Sequence, residues 1–143
     1  MEIVQIIGFD SDNSPEVKMP LFQMSVSAGV PVSVDNDTIV EIDLNEFLVE
    51  NPVSTFFVKV KGKSAKLPDI SDEDILVVDE KIKPVDGKIV VAAFNGELAV
   101  KIYREIDGEV YLESADNQFL PVNIEPYIKF YILGTVTRII HSL

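Results

Sequence analysis

Residues 56 to 64, FFVKVKGKS, alternate in register: Phe56, Val58, Val60, Gly62 and Ser64 share one parity, and Lys59, Lys61 and Lys63 share the other. A strand through this segment turns its lysines to water and its valines to a core. Five further runs rich in Val, Ile, Tyr and Phe follow: DILVVDEKI from 74, GKIVVAAF from 87, ELAVKIYREI from 97, EVYLES from 109 and FYILGTVTRII from 130. Asn95-Gly96 and Asp107-Gly108 stand between such runs as two-residue hairpin turns. The pattern predicts a mostly β chain folded as an antiparallel meander, compact and partly closed, rather than a βαβ architecture. The last run, apolar and close to the chain end, reads as an edge strand for two copies to share.

The first 40 residues are different. DSDNSPEVKMP is rich in turn formers, and SVSAGVPVSVDND mixes small residues with Gly29 and Pro31 without helical period, so this part reads as an extended arm. One short helix is expected in IDLNEFLVENP, with Asp43 as N-cap, Glu46 three residues later as in a capping box, and Pro52 limiting continuation.

At 143 residues the chain has the length of one ordinary domain. Its 12 basic and 24 acidic residues give a net charge of -12, which argues against a broad grip on nucleic acid, since each phosphate contact needs a local cation. The absence of cysteine excludes disulfides and thiolate chemistry and suits a reducing cytoplasm. Neither a basic n-region with a following apolar core nor an apolar run of about 18 residues is present, so no export signal and no membrane association are expected.

Few chemistries remain. His141 is the sole histidine and is the third residue from the end, where it reads as a surface or dimer-edge residue, so a histidine-based triad or zinc site has no support. The run DISDED lacks the glycine and the spaced glutamate of a calcium loop and reads as a solvated turn. No metal and no cofactor are expected. Ser64 is either a turn hydroxyl bonding nearby backbone or a nucleophile. A nucleophile would need a lysine base, and lysine accepts a proton only when neutral, a state that burial favours. Lys59, Lys61, Lys63 and Lys66 lie in a charged neighbourhood, and Lys81, Lys83 and Lys88 flank a turn. Lys101 lies inside ELAVKIYREI between Val100 and Ile102, with Ala99 and Tyr103 as strand-mates of its own parity. It is either solvent-facing or the base.

Several segments together resemble the LexA and UmuD self-cleaving serine peptidases of family S24, in their UmuD-like branch. They are PLF (20–22), VSAGVP (26–31), IDLNEFL (42–48), FFVKVKGKS (56–64), ISDEDILVVD (70–79), GKIVVAAFNGELAVKI (87–102) and LGTVTRII (133–140). The resemblance implies that Ser64 is the nucleophile, Lys101 the general base and Ala28-Gly29 the bond the chain cuts in itself. Backbone N–H groups near Lys63 and Ser64 would hold the oxyanion. Residues 1–28 then form a cleavable arm and 29–143 the peptidase and dimerisation domain. The chain departs from the family's pattern where Lys63 and Ala65 flank the serine, where KLPD replaces the usual glycines, and where Glu73 stands in place of a common glycine.

The implied role is a homodimeric protein of the bacterial SOS response, stimulated to cleave by a RecA filament. The trimmed form would serve as accessory subunit of a Y-family (UmuC-like) error-prone DNA polymerase in translesion synthesis. The 28 residues ahead of the expected cut are too few for a winged DNA-binding module, and the charge disfavours direct DNA contact. Two alternatives stand beside this: a non-catalytic β interaction module, and a phage-type repressor or anti-repressor fragment.

Overall fold

The computed structural model describes residues 1–9, 15–16, 18–22, 39–64, 66–94, 96–113, 119–121 and 130–143. In chain order the elements are β1 (Glu2–Gly8), β2 (Lys18–Phe22), β3 (Ile39–Asp43), α1 (Leu44–Leu48), a 3-10 turn (Pro52–Ser54), β4 (Thr55–Lys61), β5 (Ile75–Asp79), β6 (Ile89–Phe94), β7 (Glu97–Ile106), β8 (Glu109–Glu113), β9 (Phe119–Pro121) and β10 (Phe130–Ile140). They fall into two units, Met1–Phe9 with Asn51–Leu143, and Asp10–Glu50.

The larger unit is one antiparallel sheet of eight strands in the order β1-β4-β5-β10-β6-β7-β8-β9, not closed on itself. The mostly β, antiparallel class with one short helix expected from the sequence is the one found. One face of the sheet wraps a core of Val58, Val60, Leu76, Val78, Val91, Val100 and Ile102, onto which Met1 and the β1 residue Ile3 also pack. Residues of alternate parity form a second cluster of Val90, Ala92 and Leu112 beside Tyr103 and Ile132. Both two-residue hairpins form as their sequences dictate: β6 and β7 pair through Phe94↔Glu97, and β7 and β8 through Ile106↔Glu109. Gly96, Asp107 and Gly108 all take positive φ there.

The meander is interrupted by β10, and this corrects the reading of FYILGTVTRII as an edge. Residues Thr135–Ile140 pair with β5, and Phe130–Thr135 pair with β6, so the strand lies in the middle of the sheet. The physical reason is its length and near-continuous apolarity. Eleven residues reach two neighbours in succession, and a run apolar at both parities belongs where both faces are covered. Gly134 sits at its register shift, where an added Cβ would lie 2.7 Å from Val78 Cγ1 and 2.9 Å from Asp79 O.

The first residues are also more regular than their composition suggests. β1 pairs with β4 as the outer strand of the sheet, and in the smaller unit β2 pairs with β3. That unit carries α1, whose N-cap is Asp43 as expected: its carboxylate accepts the Asn45 N–H at 2.9 Å. The helix ends at Leu48, before Pro52.

Candidate active site

Strand β4 stops at Lys61 because Gly62 takes φ +90°, a left-handed bend that glycine adopts at no steric cost. Ser64 therefore lies in a turn beyond the strand and not on its inner face. It is buried all the same, at 9 % exposure, while Lys61 and Lys63 face water as their parity predicts. The Lys66 N–H donates to Ser64 Oγ at 3.3 Å and the Leu67 N–H to the Ser64 carbonyl at 3.2 Å. Leu67 and Ile70 then plug the turn into the core beside Val100 and Ile102.

Two sets of polar contacts hold this turn. On one side the acidic run is a structural bracket. Asp72 accepts the Gly62 N–H at 2.6 Å, the Val60 N–H donates to the Asp74 carbonyl, and the Glu73 N–H donates to the Val60 carbonyl. Asp74, only 1 % exposed, accepts the Ser71 N–H at 2.7 Å with Oδ2, and its Oδ1 lies 2.6 Å from His141 Nδ1. His141 is thus at the surface, as read from the sequence, but it is attached to a buried aspartate that the reading did not anticipate.

On the other side Lys66 Nζ reaches Glu113 Oε1 at 2.6 Å, and Arg104 Nε meets Glu113 Oε2 at 2.8 Å. The Glu113 side chain is 9 % exposed, and hydrogen bonds from Lys66 and then Arg104 hold its carboxyl below the usual range against the opposing effect of burial. Glu113 is the cross-strand partner of Ile102. The serine turn is therefore tied to the hairpin that carries Lys101. Between the turn and that hairpin opens a cleft of about 180 Å³ lined by Lys66, Leu67, Asp69, Ile89, Ile102 and Arg104.

Lys101 is half-buried at the middle of β7, opposite Val90, with β6 and β8 on its two sides. By alternation it shares the face of Tyr103 and Val90, whereas the serine turn packs against the positions on either side of it, Val100 and Ile102. Among the described residues Lys101 makes no ion pair or side-chain hydrogen bond, and none joins it to Ser64. Lys59, by contrast, pairs with Glu73 at 3.0 Å, and Lys66 with Glu113. Ala28, Gly29 and Ala65 lie outside the described residues.

Neither bracket was read from the sequence. The Glu113 contact to Arg104 was accessible in principle, because a two-residue turn at Asp107-Gly108 sets the register that places Glu113 across from Ile102 and diagonal to Arg104. Lys66 and His141 reach their partners over 47 and 67 residues, and no local pattern announces such contacts.

Comparison with known proteins defines the class. The family model for Peptidase S24-like proteins matches residues 20–137, and the chain belongs to that family. Within it the chain is similar to Protein SamA of Salmonella typhimurium, 35% identical over 128 residues covering 86% of this chain and 85% of that protein. Protein ImpA of Escherichia coli is 35% identical over 126 residues, 85% of this chain and 83% of its own length. The LexA repressor of Shewanella amazonensis is 26% identical over 124 residues, and there the chain spans 58% of the repressor. The UmuD-like resemblance drawn from the residues agrees with these matches. No helix among the described residues is long and apolar enough to cross a membrane.

Proposed function

We propose that the protein is a self-cleaving serine peptidase of the SOS response that cuts its own Ala28-Gly29 bond. Ser64 Oγ attacks the Ala28 carbonyl carbon and passes its proton to neutral Lys101 Nζ. N–H groups of Lys63 and Ser64 stabilise the oxyanion, and the C–N bond breaks as Lys101 returns the proton to the Gly29 amine. A water deprotonated by Lys101 then releases the acyl group from Ser64. Because the substrate is part of the same chain, the reaction is first order and is gated by docking of the segment to be cut.

The observation that carries this reading is a buried serine turn tied through Lys66 and Glu113 to the hairpin holding a half-buried lysine that has no carboxylate partner among the described residues, in a chain of the S24-like family. Serine and lysine make no direct hydrogen bond, and by alternation Lys101 lies on the other face of β7 from Val100 and Ile102, against which the turn packs, so the dyad requires the serine turn to rearrange when the segment to be cut docks. The same observation favours one competing reading, a non-catalytic β interaction module in which Ser64 serves as a turn hydroxyl.

After the cut, the homodimeric product acts in the bacterial cytoplasm as accessory subunit of a Y-family DNA polymerase, with a RecA filament stimulating cleavage. The net charge of -12 supports a protein partner over bare DNA. N-terminal sequencing of the incubated protein should return GVPVS, and the cut form should capture the polymerase of the same genome better than uncut Ser64→Ala protein does. A different new N-terminus refutes the cleavage site, and equal capture refutes the switch.

A further inference from the structure

β1 is the outermost strand on its side of the sheet and covers the edge of β4. Its hold is uneven. Met1 and Ile3 pack into the core, whereas Val4, Ile6 and Ile7 are 46%, 45% and 48% exposed, and the ladder shifts register between Ile3 and Gln5. Ile3 stands opposite Val60, and Glu2 opposite Lys61. Lys61 and Lys63 are exposed, forming a small basic stretch on a strongly acidic chain.

We propose that β1 is a replaceable strand and that the β4 edge beneath it is a docking site for an extended segment of a partner protein. The inference rests on the cut between Ala28 and Gly29. That cut leaves β1 on the shorter piece, held to the rest, among the described residues, without a covalent link: by its ladder with β4, by that of β2 with β3, and by side-chain contacts such as Phe9 with Phe57 and Asn45 Nδ2 with the Pro15 carbonyl. While tethered, β1 meets its site at an effective concentration on the order of millimolar, and once the tether is cut that advantage is lost to dilution. The edge then offers those backbone N–H and C=O groups of Phe56–Lys61 that had faced β1, together with the space left by Met1 and Ile3.

β1 itself states what fits there: an extended strand with apolar side chains at alternate inward positions and an acidic side chain opposite Lys61. The β4 edge of a second copy does not meet this requirement, since pairing the two edges would set the lysines of one against those of the other.

The test uses the full chain with a foreign protease site placed within residues 23–38, so that strand release is measured whether or not the protein cuts itself. The probe is a fluorescent peptide of residues 1–9, MEIVQIIGF. It should bind the cut protein saturably and the uncut protein negligibly. Ile3→Asp in the peptide should weaken binding about 10- to 100-fold, the value of burying one such side chain. Glu2→Lys should weaken it up to about 5-fold, as expected for one exposed cross-strand pair. Equal binding to cut and uncut protein overturns the proposal. So does a cut protein that keeps its short piece and rejects the peptide, one that self-associates without binding it, or one that unfolds. Failure of the unaltered chain to cut itself, with peptide binding intact after foreign cleavage, refutes the autoproteolytic trigger and leaves the docking edge standing.

Discussion

Glu73 has φ +69°, a conformation that costs a side chain with a Cβ about 1–2 kcal/mol, which accounts physically for the glycine common at this place in the family it resembles. Its carboxylate partly offsets that cost through Lys59 at 3.0 Å, but both side chains are substantially exposed and such pairs contribute about 0.2–1 kcal/mol. Glu73→Ala keeps the strain and loses the pair, whereas Glu73→Gly relieves the strain at some cost in chain entropy. Glycine should therefore be the more stable of the two by about 0.5–1 kcal/mol, read from denaturant midpoints. Alanine equal to or better than glycine would mean the left-handed turn is absent in solution.

Asp79 is a buried carboxylate whose ionisation is coupled to folding. Burial raises its pKa, but hydrogen bonds from Ser54 and Asn51, each 2.6 Å, and from the Lys81 N–H at 2.9 Å outweigh burial and leave it lowered. A carboxyl whose folded pKa is depressed adds stability that is present above the unfolded value, about 3.9, and is lost as pH falls through the folded one. Asp79→Asn should cost about 1–3 kcal/mol at neutral pH and flatten the loss of stability below pH 4. An unchanged acid limb would contradict this assignment.

At the level of elements, β10 organises the sheet. Gly134→Ala would press a methyl against Val78 and the Asp79 carbonyl, and a backbone carbonyl within a ladder has little room to move. The expected cost is about 1–3 kcal/mol in urea unfolding, and a neutral effect would show that the two ladders on β10 are not held this closely. The serine turn depends on Glu113, whose two cations are themselves 25% and 35% exposed and can hydrate if it is lost. Glu113→Ala should then cost about 1–3 kcal/mol, and amide exchange should quicken at Lys66 and Leu67 more than in β5. Uniform exchange would mean the bridge does not anchor the turn.

These elements also show what the sequence discloses. Local devices were legible: the Asp43 cap, the hairpins at Asn95-Gly96 and Asp107-Gly108, and the strands from residue 55. The place of β10 was not, because periodicity reports which faces are buried and says nothing of which strands lie beside an apolar run. β1 was missed since a weakly buried outer strand carries little alternation, with Val4, Ile6 and Ile7 all exposed. Ser64 was expected to be buried, and is, though as part of a turn beyond Gly62 rather than by strand phase.

For the molecule as a whole, the S24-like family, the similarity across most of SamA and ImpA, and a serine turn tied to the strand of Lys101 are what support one account, the proposal of a serine peptidase whose substrate is its own N-terminal segment. The chemistry of that account rests on the Ser64 and Lys101 side chains. Their removal costs little core volume, so Ser64→Ala and Lys101→Ala should remain folded, and Lys101→Arg should fail as well because a guanidinium keeps its proton. The most direct measurement is intact mass against time for the full chain at pH values from neutral to alkaline, with and without an activated RecA filament. The account predicts two products separated between Ala28 and Gly29, formed faster as pH rises because only the neutral amine accepts the serine proton, and no product from any of the three variants. An intact chain under every condition, or a Ser64→Ala protein that shortens at the same rate as the original, would contradict it.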